Sequence, residues 1–464
     1  MRTAPRLVRA DFGERTLAPD TLRWLRALED ARIPYCLLRR YTEPLGGDDL
    51  DFVVPRDALP ARVAAVLRHA AEERGGLLVQ AVEHDGAWSF VVADRDQTAG
   101  GAWRFLRLDA WPAPDVGPFR FHRGEDLLAS RRREADTFVP GTATEFGCLL
   151  TRRITKGDVR PRDAERLARL HAADPVGCEQ EIRRFWPAPT ARALVAAARA
   201  HAWTAIARRT QTWRTELRRK ALRTDPLGIL RRRLGREWTR ARHLLRPANG
   251  LHVVFLGPDG AGKSTIIDAV RRALEPVFSA VSCRAGAPPS LRQLRDGTYR
   301  LRAIAGARQP EGRPHAATIH STGVSVLKAA YWLAYYVLGH PLTVRPALAR
   351  GQLILHHRYV LDALVDPARY RYGGPPALLR LVWHATPEPD AVILLDAPAE
   401  TIRRRKSELP RGEIERQLAA YRSLVARLPN GHGVDATASE ARTAEAVVEL
   451  LLRKLAQRTE ARFA

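Results

Sequence analysis

Leu251-His252-Val253-Val254-Phe255-Leu256 is a short apolar run, and Gly257-Pro258-Asp259-Gly260-Ala261-Gly262-Lys263-Ser264 follows it directly. A brief apolar run bounded by a glycine turn reads as a buried strand. Thr265-Ile266-Ile267-Asp268-Ala269-Val270 then continues with apolar residues at helical spacing. A glycine-rich turn between a strand and a helix N-terminus aims several backbone N–H groups at one anion. Glycine permits the positive φ angles and the close approach that a side chain would block. In such a loop Lys263 reaches the β- and γ-phosphates of a nucleoside triphosphate, and the Ser264 hydroxyl holds Mg²⁺. The expected nucleotide contacts are Gly257, Asp259, Gly260, Ala261, Gly262, Lys263, Ser264 and Thr265, with ATP and Mg²⁺ as cofactors.

The chain around this motif has 464 residues, long enough for two or three domains with their own cores, and 45% hydrophobic against 27% charged residues is ordinary globular composition. Its formal charge of +25 comes almost wholly from arginine, since only six residues are lysine. The excess is local: between Arg208 and Arg246 fourteen basic residues stand against Glu216, Asp225 and Glu237, a net +11. Beyond this bulk charge nothing indicates a nucleic-acid partner. Cys36, Cys148, Cys178 and Cys283 are far apart and show neither a disulfide framework nor zinc-ligand spacing. The N-terminus lacks the apolar core of a signal peptide, and the longest apolar run, near Val324 to Leu338, is interrupted by Lys328. A cytoplasmic protein without a membrane span is the expectation.

Three regions emerge. Residues 20–125 mix helices (Thr21 to Ala31, Leu59 to Glu73) with strands (Tyr35 to Arg39, Leu50 to Val54, Leu77 to Val82, Ala87 to Val92, Phe105 to Ala110), as a small α/β domain does. Residues 126–248 are mainly helical. One apolar stripe runs Trp203, Ile206, Thr210, Trp213, Leu217, and a second runs Leu227, Leu230, Leu234, Trp238, Ala241, Leu245. From 249 to 464, strands at Val253 to Leu256, Leu353 to His356, Ala391 to Leu395 and Gly433 to Asp435 alternate with helices, which implies a parallel sheet covered on both faces. Gly286 to His320 reads as a long loop. The fold class is therefore α/β, with a helical connector.

Three further elements follow the loop in the order phosphoryl transfer needs. His356-His357-Arg358-Tyr359 ends one strand, with Asp362 and Val365-Asp366-Pro367-Ala368-Arg369-Tyr370 beyond it. Leu395-Asp396 ends another strand with a carboxylate beside the loop. Arg403, Arg404, Arg405, Lys406 and Arg411 precede a helix containing Gln417 and Tyr421. Such transfer is mostly positioning and charge neutralisation, so the acceptor needs an arginine clamp, for which Arg358 is the candidate, and the moving phosphoryl needs mobile cations, for which Arg405 and Arg411 are candidates. Either of the last two could equally be an ordinary helix-surface arginine.

With the loop, the Arg358-Tyr359 pair, Leu395-Asp396, the arginine-rich segment with Gln417-Leu418-Ala419-Ala420-Tyr421, and Val434-Asp435-Ala436-Thr437, the last 215 or so residues resemble the thymidylate kinase family of P-loop nucleoside monophosphate kinases. The resemblance implies a γ-phosphate transfer to a nucleoside monophosphate or related small acceptor, with Asp259 near the acceptor sugar. One position departs: where the family has Asp before the arginine this chain has His357, so either Asp396 or Asp362 takes over at Mg²⁺, or the metal site is weakened and this is a poor or altered kinase.

In the N-terminal region Asp49 and Asp51 of Asp49-Leu50-Asp51-Phe52-Val53-Val54 share one strand face, and Asp109 could add a third carboxylate from a neighbouring strand, a set suited to Mg²⁺. This resembles the nucleotidyltransferase superfamily, although Leu38-Arg39 stands near where that family has Gly-Ser. An acidic turn ahead of an edge strand explains the same residues. Modules of the two kinds in one chain are, as the resemblance implies, often linked to bacterial surface-polysaccharide biosynthesis. The basic connector within residues 208–246 could touch an anionic membrane or, more ordinarily, pack its apolar stripe on a neighbouring domain. Two competing functions stay open: a bifunctional or mainly nucleotidyl-transferring enzyme, and a non-catalytic ATP-binding module of an assembly.

Overall fold

The computed structural model describes residues 19–38, 49–84, 86–95, 101–245, 249–284, 318–407 and 409–463. The N-terminal hexapeptide and most of the expected loop at 286–320 lie outside them. The described chain falls into two units. One runs to Thr239 and takes in the residues from Arg458, and the other is Arg240–Gln457.

The first unit opens with a mixed sheet of β1 (Cys36–Leu37), β2 (Asp49–Val53), β3 (Leu77–His84), β4 (Ala87–Arg95) and β5 (Trp103–Trp111), in the order β1-β2-β5-β4-β3. Strand β2 runs parallel to β5, and the other pairs are antiparallel. Leu50 and Phe52 alternate with the acidic residues of β2, so one sheet face packs Leu25, Leu28 and Leu67 from the helices Pro19–Asp30 and Ala61–Glu72 while the other carries Asp51. Strand β3 is at the sheet edge, where unpaired carbonyls invite foreign strands. The C-terminal residues cover it: the Thr459 hydroxyl donates to the Val79 carbonyl at 2.9 Å, and Arg462 donates to that of Ala81 at 2.7 Å.

A hairpin of β6 (Arg132–Glu134) and β7 (Thr137–Val139) leads into helices Thr142–Lys156, Pro161–Ala173, Pro175–Phe185, Ala188–Arg199 and Trp203–Thr224. Phe146, Leu150, Ile154, Leu167 and Ile182 form their core. Trp213 and Leu217 of the first sequence stripe join it, so that stripe is a packing face. The second stripe differs from its expectation. On the helix Pro226–Leu245, Leu227, Leu230, Leu234, Trp238 and Leu245 are all exposed and Ile229 is buried.

In the second unit β8 (Leu251–Leu256), β9 (Ala280–Arg284), β10 (Gln352–His356), β11 (Ala391–Asp396) and β12 (Gly431–Asp435) form an all-parallel sheet ordered β12-β11-β8-β10-β9. Every residue of β8 is buried, which requires layers on both faces. The chain leaves β8 for one side of the sheet and later crosses to the other, so the segment after β8 sits where strand order reverses. Strand β9 escapes the sequence pattern because Ala-Val-Ser-Cys-Arg, on an edge, has only one buried residue. The four cysteines carry free thiols. No helix among the described residues is long and apolar enough to cross a membrane.

His122 is buried 3.9 Å from Glu181, and burial, reinforced by Arg184, pushes its pKa down to about 4. Its folded pKa lies below its unfolded one, so between about pH 4 and 6.5 the unfolded chain binds more protons and stability falls as pH is lowered. By pH 5 the loss is about 2 kcal/mol. Chemical denaturation at pH 7 and pH 5 should show this difference shrinking by that amount in His122→Leu.

Candidate functional site

The loop after β8 has its shape imposed by three glycines, Gly257, Gly260 and Gly262, at φ 139°, 92° and 88°. A Cβ on Gly257 would lie 3.1 Å from the Leu395 carbonyl oxygen, and one on Gly260 would lie 2.9 Å from that of Ile402. The backbone is thus pressed against the end of β11 and the helix Ala399–Arg405. Ala261 closes the turn through its N–H to Pro258, and Gly262 caps the helix Lys263–Leu274. The first N–H groups of that helix have no partner within it, so Lys263, Ser264 and Thr265 present donors and the positive end of the helix dipole.

Lys263 is buried, and its Nζ donates to the carbonyls of Gly257 at 2.5 Å and Pro258 at 2.8 Å. Burial, with Arg358 nearby, lowers its pKa to about 7 against the opposing pull of Asp259. Asp259 receives Arg358 on one carboxylate oxygen and Arg369 on the other. Burial alone would raise the pKa of Asp259, but Arg358, Lys263 and Arg369 outweigh it and hold the group well below the carboxylate range. Arg358 itself sits at φ 124°, an unfavourable conformation for a side-chain-bearing residue, and its other nitrogen is 3.6 Å from Asp362. Asp362 is fully buried. It caps the helix Val360–Val365 through the Tyr359 N–H and accepts from the Tyr421 hydroxyl at 2.7 Å.

Both carboxylates expected to organise Mg²⁺ are engaged elsewhere. Asp362 is held as above. Asp396 reaches the end of β11, but Arg422 donates to both its oxygens at 2.8 Å. The Arg422 fork occupies both oxygens of Asp396, while Asp362 is shared between a backbone N–H and a hydroxyl. What faces the Ser264 hydroxyl is His357 Nε2, at 3.0 Å. Burial, then the charges of Lys263 and Arg358, push the His357 pKa down to about 3, so the imidazole is neutral. Its neighbour His356 turns away, meeting His252 of β8 at 3.0 Å in the buried layer.

Arg405 belongs to the loop's surroundings. Its Nη1 lies 3.9 Å from where a Gly262 Cβ would be, and its Nη2 donates to the Ala436 carbonyl at 3.1 Å. Arg411 begins the helix Arg411–Val425 and is exposed, donating to Glu415 at 2.8 Å, which is the helix-surface arrangement. Sequence reasoning assigned no role to Arg369 or Arg422. The signal for Arg369 was the Asp-Pro-Ala-Arg turn, in which Asp366 accepts from the Arg369 N–H at 3.1 Å and so aims the side chain. Arg422 carried no signal in so arginine-rich a chain.

In the first unit Asp51 and Asp109 stand side by side in the β2–β5 register, with Asp49 opposite Arg107. Trp111 Nε1 donates to Asp51 at 3.2 Å. The Asp49 side chain and Arg39 lie outside what is described. Among the described residues no group of three or more His, Cys, Asp and Glu could hold a metal ion.

No known family's sequence profile matches the chain. The chain is similar to a thymidylate kinase of Limosilactobacillus fermentum, 28% identical over 167 residues, which cover 33% of this chain and 66% of that protein. The match spans about two thirds of the relative's length. It supports a P-loop kinase-like region within the chain and hints at nucleotide kinase-like activity.

Two substitutions probe the site's construction. Gly260→Ala must move the Ile402 carbonyl and hold alanine at positive φ, a cost of about 1 to 3 kcal/mol; a fluorescent ATP analogue should bind it more weakly than wild type. Asp259→Asn leaves two guanidiniums without their shared counter-charge and should cost about 3 to 5 kcal/mol in denaturant unfolding. Wild-type stability in Asp259→Asn would contradict a structural role for the cluster.

Proposed function

We propose that the second unit is an ATP- and Mg²⁺-dependent phosphotransferase that passes the γ-phosphate to a nucleoside monophosphate or a related small acceptor. The observation that carries this reading is the three-glycine loop with Lys263 and Ser264 at a helix N-terminus, at the point of strand-order reversal in a parallel sheet. The likeness to a thymidylate kinase supports it.

The residues fit a nucleotide. Main-chain donors at Gly262 to Thr265 would surround its phosphates, and Lys263 would exchange the carbonyls of Gly257 and Pro258 for phosphate oxygens. The Ser264 hydroxyl would hold Mg²⁺. Bound there, the ion would supply charge neutralisation to the nucleotide's phosphates. His357 orients the Ser264 hydroxyl and brings no charge of its own. Arg358 and Arg369, already converged on Asp259, would clamp an anionic acceptor, whose oxygen attacks the γ-phosphorus as ADP leaves. Arg405, beside Gly262, would meet the phosphoryl group in transit.

A second reading concerns the first unit. The adjacency of Asp51 and Asp109 on parallel strands favours metal-dependent nucleotidyl transfer as a further activity.

Labelled γ-phosphate should appear on an acceptor when the protein is screened against nucleoside monophosphates, sugars and lipid-linked compounds with Mg²⁺. Lys263→Ala should lower turnover by about 10² or more, and His357→Asp should raise Mg²⁺ affinity in the ATP complex. Unchanged turnover in Lys263→Ala together with its loss in Asp51→Ala would transfer the activity to the first unit. ATP binding without transfer to any acceptor would make the second unit a binding module.

A further inference from the structure

The helix Pro226–Leu245 is built at its start for one orientation. Asp225 accepts from the Gly228 N–H at 3.0 Å as an N-cap, and Pro226 fits the first turn. The same carboxylate takes Arg232 Nη2 at 2.7 Å, and Arg232 Nε donates to the Pro118 carbonyl at 2.8 Å. Ile229 is buried, Arg236 lies against Gly117, and the Thr239 hydroxyl donates to Glu83 at 3.4 Å. At 3.6 residues per turn, positions 229, 232, 236 and 239 make one face, which anchors the helix as far as Thr239 to the first unit.

The opposite face holds Leu227, Leu230, Leu234 and Trp238, with Leu227 79%, Leu234 60% and Trp238 69% exposed. Together with Arg231 and Gly235 they line a shallow apolar groove. A contiguous apolar ridge of this kind marks an interaction surface. Exposed Arg231 flanks it on one side, and exposed Arg233 and Glu237 on the other.

We propose that this ridge docks on the surface of an anionic lipid bilayer, the leucines and Trp238 entering the interface and the flanking arginines meeting lipid phosphates. The composition is that of a helix lying in the membrane plane: apolar centre, tryptophan, arginine borders. Charge selects this occupant. A second copy of this helix would bring an equal positive charge against the first, six arginines to the single Glu237, whereas an anionic headgroup layer complements that charge. The inference is independent of the phosphotransferase reading.

Flotation of the full chain with phosphatidylcholine vesicles, with and without phosphatidylglycerol, tests it. The wild type should float with the anionic vesicles and not with the neutral ones. Leu234→Glu combined with Trp238→Glu should reduce partitioning on the order of ten-fold or more. Arg231→Ala and Arg233→Ala should each reduce it by roughly five-fold at low salt. All four side chains are exposed, so melting temperature and ATP binding should stay at wild-type values, which separates docking from misfolding. Binding that vanishes at high salt but is indifferent to the two glutamates would reduce the effect to bulk charge and overturn the proposal. Equal binding to neutral vesicles would remove the anionic partner. A drop in oligomer mass on the glutamate substitutions, without vesicle binding, would reassign the ridge to a protein contact.

Discussion

The carboxylate of Asp259, inside the glycine-rich loop, is the tie on which the second unit's site depends. It is buried between Arg358, from the end of β10, and Arg369, from the turn four residues past Val365. Burial by itself would protonate it. Two guanidiniums and the Lys263 ammonium keep it ionised, and in return it neutralises a cluster of cations that could not otherwise share so small a space. Arg358 passes the connection on to Asp362, which in turn holds Tyr421 of the helix Arg411–Val425. One charged chain therefore joins loop, strand end and the arginine-bearing helix, and the unfavourable φ of Arg358 is offset by the pairs it makes.

The charge balance beside Ser264 sets this site apart from its sequence resemblance. Where a carboxylate would add a negative charge next to the Ser264 hydroxyl, His357 contributes a neutral ring nitrogen. The nearby carboxylates carry partners of their own, Tyr421 on Asp362 and Arg422 on Asp396. A divalent cation at Ser264 would rely on the nucleotide's own oxygens more than on the protein, as Mg²⁺ commonly does in phosphate sites.

The arginine excess divides into two populations. Some guanidiniums are internal connectors: Arg166 on Glu145 and Arg153 on Asp163 fasten helices of the first unit together. Arg231 and Arg233, by contrast, border an exposed apolar ridge. Bulk charge cannot separate these roles, since the same residue type serves as an internal staple and as a surface cation.

The sequence by itself determined what is local. The apolar run into a glycine turn fixed β8, the loop and the helix after it, because strand burial, positive φ and helix capping are read from adjacent residues. Alternation in β2 put Asp51 on one sheet face and Phe52 on the other for the same reason. Tertiary structure decided what depends on partners distant in the chain. It committed Asp396 to Arg422 and Asp362 to Tyr421, brought Arg369 onto Asp259 and set His357 against Ser264, pairings over separations that no spacing rule spans. It also buried the stripe at Trp213 and exposed the one at Leu234, although the two have the same periodicity. Helical spacing says that a face exists, and only the packing of Ile229 and Arg232 on the opposite side decides whether that face is core or surface.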